Sequence, residues 1–142
     1  MGSSGNGAAA RERAIRVSDM TGEREIASEV ELEEVLLRRN ASGVNHFHLF
    51  PAASKHPLLI MMVNGELAWL YFLSDSDHVG CYARGTVPGL DPKGRTRFVY
   101  VGPQDEERFN DQVVQFADAF RAAKEFFATR QLPRCLDWRE PS

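Results

Sequence analysis

PLLIMMVNGELAWLYFLS, Pro57 to Ser74, sets an Asn-Gly pair between two apolar runs. Asn64 and Gly65 offer the two positive-φ positions of a type I′ turn, so the stretch reads as a β-hairpin with strands over about 58–63 and 66–73. Alternation puts Leu67, Trp69, Tyr71 and Leu73 on one face and Ala68, Leu70 and Phe72 on the other. Both faces are apolar, so the sheet this hairpin joins must be covered twice. Helices can cover one side. The other needs sheet curvature or a second chain, a homodimer included.

Upstream, HFHLF leads to Pro51 and reads as a short strand. Before it, Ser28 stands three residues ahead of Glu31 as a capping box requires, and Leu32, Val35 and Leu36 form one stripe. That helix is expected to end near Arg39, with Arg38 and Arg39 at the negative end of its dipole and Gly43 beyond. Residues 1–25 are rich in Gly, Ser, Ala and charge and read as a flexible tail, leaving 26–142 as a single domain.

Downstream, SDSDH reads as a polar loop, VGCYARG as a short strand, PGLDPKG as turn residues and TRFVYVG as another strand. A second helix is expected from about Asn110 or Asp111 to Thr129, with Val113, Phe116, Phe120 and Phe127 inward. Pro133 stops it, and a last strand over about 134–139 places Leu136 and Trp138 on one face. The fold class is therefore α+β: a mostly antiparallel sheet of about five or six strands with two main helices packed on it.

A chain of 142 residues encloses one core, and 17 Lys and Arg against 20 Asp and Glu leave a formal charge of -3. That balance carries no strong field toward nucleic acid or anionic lipid, so neither direct nucleic-acid binding nor membrane binding is expected. The opening residues lack an apolar core of signal-peptide length and nothing is long enough to span a bilayer, so a cytoplasmic location is expected. Cys81 and Cys135 suit small buried residues in a reducing compartment.

Chemistry-bearing patterns are sparse. His46 and His48 share a strand face, a geometry zinc sites use, yet a third ligand from His56, His78 or Cys81 is not placed by spacing. Asp75 and Asp77 lack the glycine and the bidentate Glu of a calcium loop. Neither a nucleophile elbow nor a phosphate-binding glycine loop is present, and Lys93, Arg95 and Arg97 lack interleaved aromatics. The reading is a binding module with no catalytic residues, no cofactor and no metal. A small ligand- or metal-binding domain using His46 and His48 is the alternative, along with a homo-oligomeric interaction module.

Ala119, Ala122, Ala123, Phe126 and Phe127, followed by Thr129, Pro133 and Trp138, resemble the C-terminal signature of immunity protein family one of the bacterial polymorphic toxin systems. The ELEEVL helix, the NGELAWLYF hairpin, CYARG and GRTRFVYVG fall in that family's order, so the resemblance spans roughly 29–140. Arg130 and Gln131 depart from it, standing where glycine commonly follows the threonine. The resemblance implies a non-enzymatic protein that binds and silences a cognate toxin, often a nucleic-acid deaminase, with nucleases the other class. An inhibitor of such a toxin can present carboxylates where phosphates would lie, with aromatics as anchors. Glu66, Asp75 and Asp77 are the candidate carboxylates, and Trp69, Tyr71 and Trp138 the candidate anchors.

Overall fold

The computed structural model describes residues 14–100 and 104–141. The hairpin that opens the sequence reading forms its centre, as β4 (Leu58–Asn64) and β5 (Leu67–Leu73). Asn64 pairs with Leu67, so the central turn residues are Gly65 and Glu66 rather than Asn64 and Gly65. Gly65 alone has positive φ, at 59°, as a turn with glycine at its first central position requires. The register shifts by one residue from the expected turn, while the two side-chain faces stand as read.

Around this pair the chain builds an eight-stranded sheet. β3 (Val44–Pro51) and then β1 (Ile15–Asp19) and β2 (Gly22–Ile26) extend it on one side, while β6 (Cys81–Ala83) and β10 (Trp138–Arg139) extend it on the other. The short β9 (Val114–Gln115) also pairs with β5, and every pairing is antiparallel. β7 (Arg95–Tyr100) and β8 (Gln104–Phe109) form a separate two-stranded sheet. The class is α+β as expected, with more strands.

Two helices lie on one face, α1 (Glu29–Leu36) and α2 (Phe116–Thr129). The Ser28 hydroxyl accepts from the Glu31 backbone N–H at 3.2 Å, the N-cap half of the capping box, and donates to the Glu31 carboxylate at 3.1 Å. α1 ends at Leu36, earlier than expected, and the Arg39 guanidinium turns back to satisfy the Leu36 carbonyl at 2.7 Å. Leu32, Val35 and Leu36 with Ala119, Ala122, Ala123 and Phe126 pack onto Phe47, Leu49, Met61, Leu70 and Phe72. The small residues of α2 let its backbone approach the sheet.

Several boundaries differ from the sequence reading. Residues 14–25, expected within a tail, form β1 and β2, with Ile15 and Val17 fully buried; residues 1–13 lie outside the described residues. The segment from Asn110 to Gln115 is a 3-10 turn followed by β9, so α2 starts at Phe116. Its inner face is Phe116, Ala119, Ala122, Ala123 and Phe126, with Phe120 and Phe127 at the margin and Val113 on the opposite side of the sheet. The last strand is only Trp138 and Arg139. Arg130, which replaces the expected glycine, takes up the left-handed conformation at the α2 C-cap, φ 54° and ψ 32°. Cys81 is half-buried and Cys135 exposed, both as free thiols, so neither sits in the core.

The second apolar face is covered from within the chain. The β7–β8 hairpin lies across β3 and β4, with Phe98 fully buried among Met62, Trp69 and Val113, and with Ile60, Leu67, Tyr71, Tyr82, Val87, Leu90 and Tyr100 around them. The molecule is thus helices, main sheet and hairpin in three layers.

Candidate interaction surface

The hairpin layer is narrower than the sheet beneath it, and its side toward β5 and β6 leaves an aromatic groove of about 300 Å³. Strand alternation lines Trp69, Tyr71 and Tyr82 into one row, since Tyr71 and Tyr82 are direct cross-strand partners. Trp69 and Tyr71 stack at 5.8 Å with their planes 15° apart. The indole N–H of Trp69 donates to Gln112 Oε1 at 3.0 Å, which fixes the ring's tilt. The Arg108 guanidinium lies 4.4 Å from the Trp69 centroid, and Glu106 neutralises it at 3.3 Å. At the rim stand Phe109, 48% exposed, Glu107 and Pro141. A Cβ on Gly80 would collide with the hydroxyl end of the Tyr71 ring, so glycine there leaves the ring its room.

On the other flank of the hairpin, a cleft of about 410 Å³ is lined by Arg16, Ser18, Glu23, His48, Phe50, Lys55 and Leu58. His46 and His48 do share a face, with ring centroids 6.0 Å apart. His48 Nε2 is hydrogen-bonded to the Tyr100 hydroxyl at 2.6 Å, and the His46 ring meets Tyr100 edge-on. Burial pushes both imidazoles below their usual pKa, aided at His48 by the charge of His46 and opposed at His46 by Asp19. Burial likewise raises Tyr100. These groups tie the hairpin to the sheet; among the described residues no three His, Cys, Asp or Glu side chains converge on a metal-sized site.

The six residues expected to meet a partner are not brought together. Glu66 is exposed at one end of β5, with its carbonyl accepting from Phe116 N–H at 2.7 Å, while Asp75 and Asp77 lie past the other end. A seven-residue strand separates them, roughly 25 Å. Asp75 is held below the usual carboxylate range chiefly by its hydrogen bond from His78, whose pKa rises in return. Trp69 is a wall of the groove at 9% exposure, and Tyr71 lies half-buried beside it. Trp138 is on the helix side, edge-on to Phe72 at 6.3 Å, and donates its indole N–H to the Pro133 carbonyl at 2.7 Å. Through that contact the indole pins the segment after α2 against the sheet.

The sequence pattern does not single out Tyr82, Phe109 or Arg108. The alternation of CYA could have put Tyr82 beside Tyr71, but QDEERF carries no apolar periodicity that announces a strand.

A family model described as Immunity protein Imm1 matches residues 20–140. The chain is also 32% identical over 124 residues to a protein of Burkholderia cenocepacia (strain H111) named double-stranded DNA deaminase immunity protein. That alignment covers 86% of this chain and 96% of the relative.

Proposed function

The chain belongs to the Imm1 immunity protein family, and from that membership we propose that it neutralises a nucleic-acid deaminase toxin by binding it non-covalently and blocking access to its substrate. The supporting observation is the similarity to a deaminase immunity protein along 96% of that protein's length. A deaminase must draw a base into a pocket while cationic side chains hold the flanking phosphates. An inhibitor that fills or covers this cleft stops the reaction without making or breaking a bond. The three-layer scaffold suits that role, because rigid strands carry the exposed groups and little ordering entropy is lost on docking.

Under this reading the cognate toxin is the partner and the chain itself is no enzyme. Trp69 and Tyr71 belong to one contact surface; Glu66, Asp75 and Asp77 could join it only if the toxin wraps round both ends of β5, and Trp138 lies on the opposite, helix-covered face. Co-expression with the toxin domain encoded beside the gene tests the reading. Cells should survive and the two proteins should co-elute; cell death despite abundant folded protein would refute it.

A further inference from the structure

α1 reads EVELEEVL, four glutamates and no base in eight residues, which is more negative charge than the chain's net of -3. Lys124 of α2 answers two of them, Glu29 at 3.3 Å and Glu33 at 3.9 Å. Glu31 and Glu34 are exposed, and among the described residues no ion pair reaches either. Glu31 sits in the first turn, where the helix dipole favours a carboxylate. Glu34 sits near the negative end, where the dipole disfavours it and the last turn holds no base to offset it. Arg39 is folded back on the Leu36 carbonyl and the Phe116 ring, and Arg38, exposed past the C-cap, makes no ion pair among the described residues.

The same outer face is apolar where water would be expected. Buried Leu32, Val35 and Leu36 define the inner side of α1, and 3.6 residues per turn put Val30, Glu34 and Leu37 on the opposite one. Val30 is 65% and Leu37 60% exposed, two of the five large apolar side chains that stand exposed among the described residues. They lie about 10 Å apart along the helix with Glu34 between them. Neither feature helps the chain fold: a carboxylate at that end weakens the helix, and a bare leucine gains nothing from being ordered. Together they describe a ligand that covers Val30 and Leu37 with apolar groups and answers Glu34 with a cation. A second copy of this chain does not fit, because a two-fold contact on this face sets Glu31 and Glu34 against their own copies.

Resting on the toxin-neutralising reading, we propose that the outer face of α1 docks in the toxin's nucleic-acid-binding cleft, with Glu31 and Glu34 on its phosphate-holding cations and Val30 and Leu37 against its apolar wall. The cleft of a deaminase combines those two chemistries, cations for the phosphates and apolar or aromatic walls for the base. A convex helix enters such a groove with anchors one heptad apart. Docking there takes the cations the toxin needs for its substrate, so recognition and neutralisation are one contact. α1 lies across the sheet from the aromatic groove, and variants on the two surfaces tell them apart.

The test measures binding of the full chain to the toxin domain encoded beside its gene, at several salt concentrations, with Glu34→Lys and Leu37→Ala. Urea midpoints show whether each variant is folded, and Glu34→Lys is expected to hold or raise the midpoint, since a cation suits that end of the helix. Its binding is expected to weaken by about 10-fold or more, with slower association and a shallower salt dependence. Leu37→Ala is expected to weaken binding by about five-fold or more and leave the salt dependence unchanged. Tight wild-type binding with Glu34→Lys within about two-fold of it would overturn the α1 contact and leave the immunity reading intact. Phe109→Ala weakening binding in that case would move the contact to the aromatic groove. Absence of wild-type binding would overturn both readings. Self-association in light scattering that Leu37→Ala abolishes, with toxin binding unchanged, would overturn the proposal in favour of a second copy of the chain as occupant.

Discussion

Phe98→Ala removes the side chain that docks the β7–β8 hairpin onto the second face of the sheet. Phe98 is fully buried among Met62, Trp69 and Val113. Losing roughly 150 Å² of buried aromatic surface at about 25 cal/mol per Å² gives about 4 kcal/mol, within the range for a phenylalanine truncated in a core. Urea unfolding at neutral pH, compared with Val30→Ala on the exposed side of α1, measures it. The control should cost under about 0.5 kcal/mol, since Val30 is 65% exposed. Trp69 emission should also shift to longer wavelength in native buffer, because the indole loses its cover. A cost below about 1.5 kcal/mol with unchanged emission would show that the hairpin does not pack as described and that the second face is covered by something else.

Acidification should weaken the same seam. Burial lowers the pKa of His46 and His48 in the folded protein, so the unfolded chain takes up protons first as pH falls through about 6.5. Their contribution is complete above that pH and is lost on going down toward the folded-state values. His78, raised by Asp75, runs the other way, but it is fully exposed and its influence is screened. Urea midpoints should therefore fall between pH 7.5 and 5.5, and His46→Gln with His48→Gln should flatten the trend; an equally steep decline in that double variant would contradict it. At the α2 C-cap, Arg130→Gly should be more stable than Arg130→Ala by about 1 kcal/mol, since both remove the side chain and only glycine accepts left-handed backbone without strain. Equal thermal midpoints would argue against that conformation. Gly80→Ala should push the Tyr71 ring off its seat and lower the melting temperature, and an unchanged midpoint would argue against that close approach.

What the sequence made legible follows from where it is redundant. In the β4–β5 hairpin, turn chemistry and period-two alternation agree, so both faces could be read even though the turn slipped by one residue. At Ser28 and Glu31 a local hydrogen-bond motif fixes a helix start without tertiary help. β1 is hard to read because its inward Ile15 and Val17 alternate with Arg16 and Ser18 over only five residues, beside charged neighbours. β8 was hidden for a different reason: as an outer strand of two, it pairs Arg97 with Asp105 and hangs carboxylates in water, so no apolar stripe marks it. The candidate groove depends on that strand, and Tyr71, named as an anchor, acquires Tyr82, Arg108 and Phe109 as neighbours only through long-range packing. Carboxylates chosen from loops at the two ends of β5 could not be known to lie apart until the strand between them had been placed.

Titrating the purified toxin domain with the purified full chain, while following deamination of the toxin's nucleic-acid substrate, asks whether binding alone accounts for protection. Activity should fall linearly to zero at a fixed stoichiometric ratio, with the toxin recovered intact and fully active once the complex is dissociated. Deamination that continues at saturating excess of folded protein, or a toxin left permanently inactive after separation, would contradict inhibition by reversible occlusion.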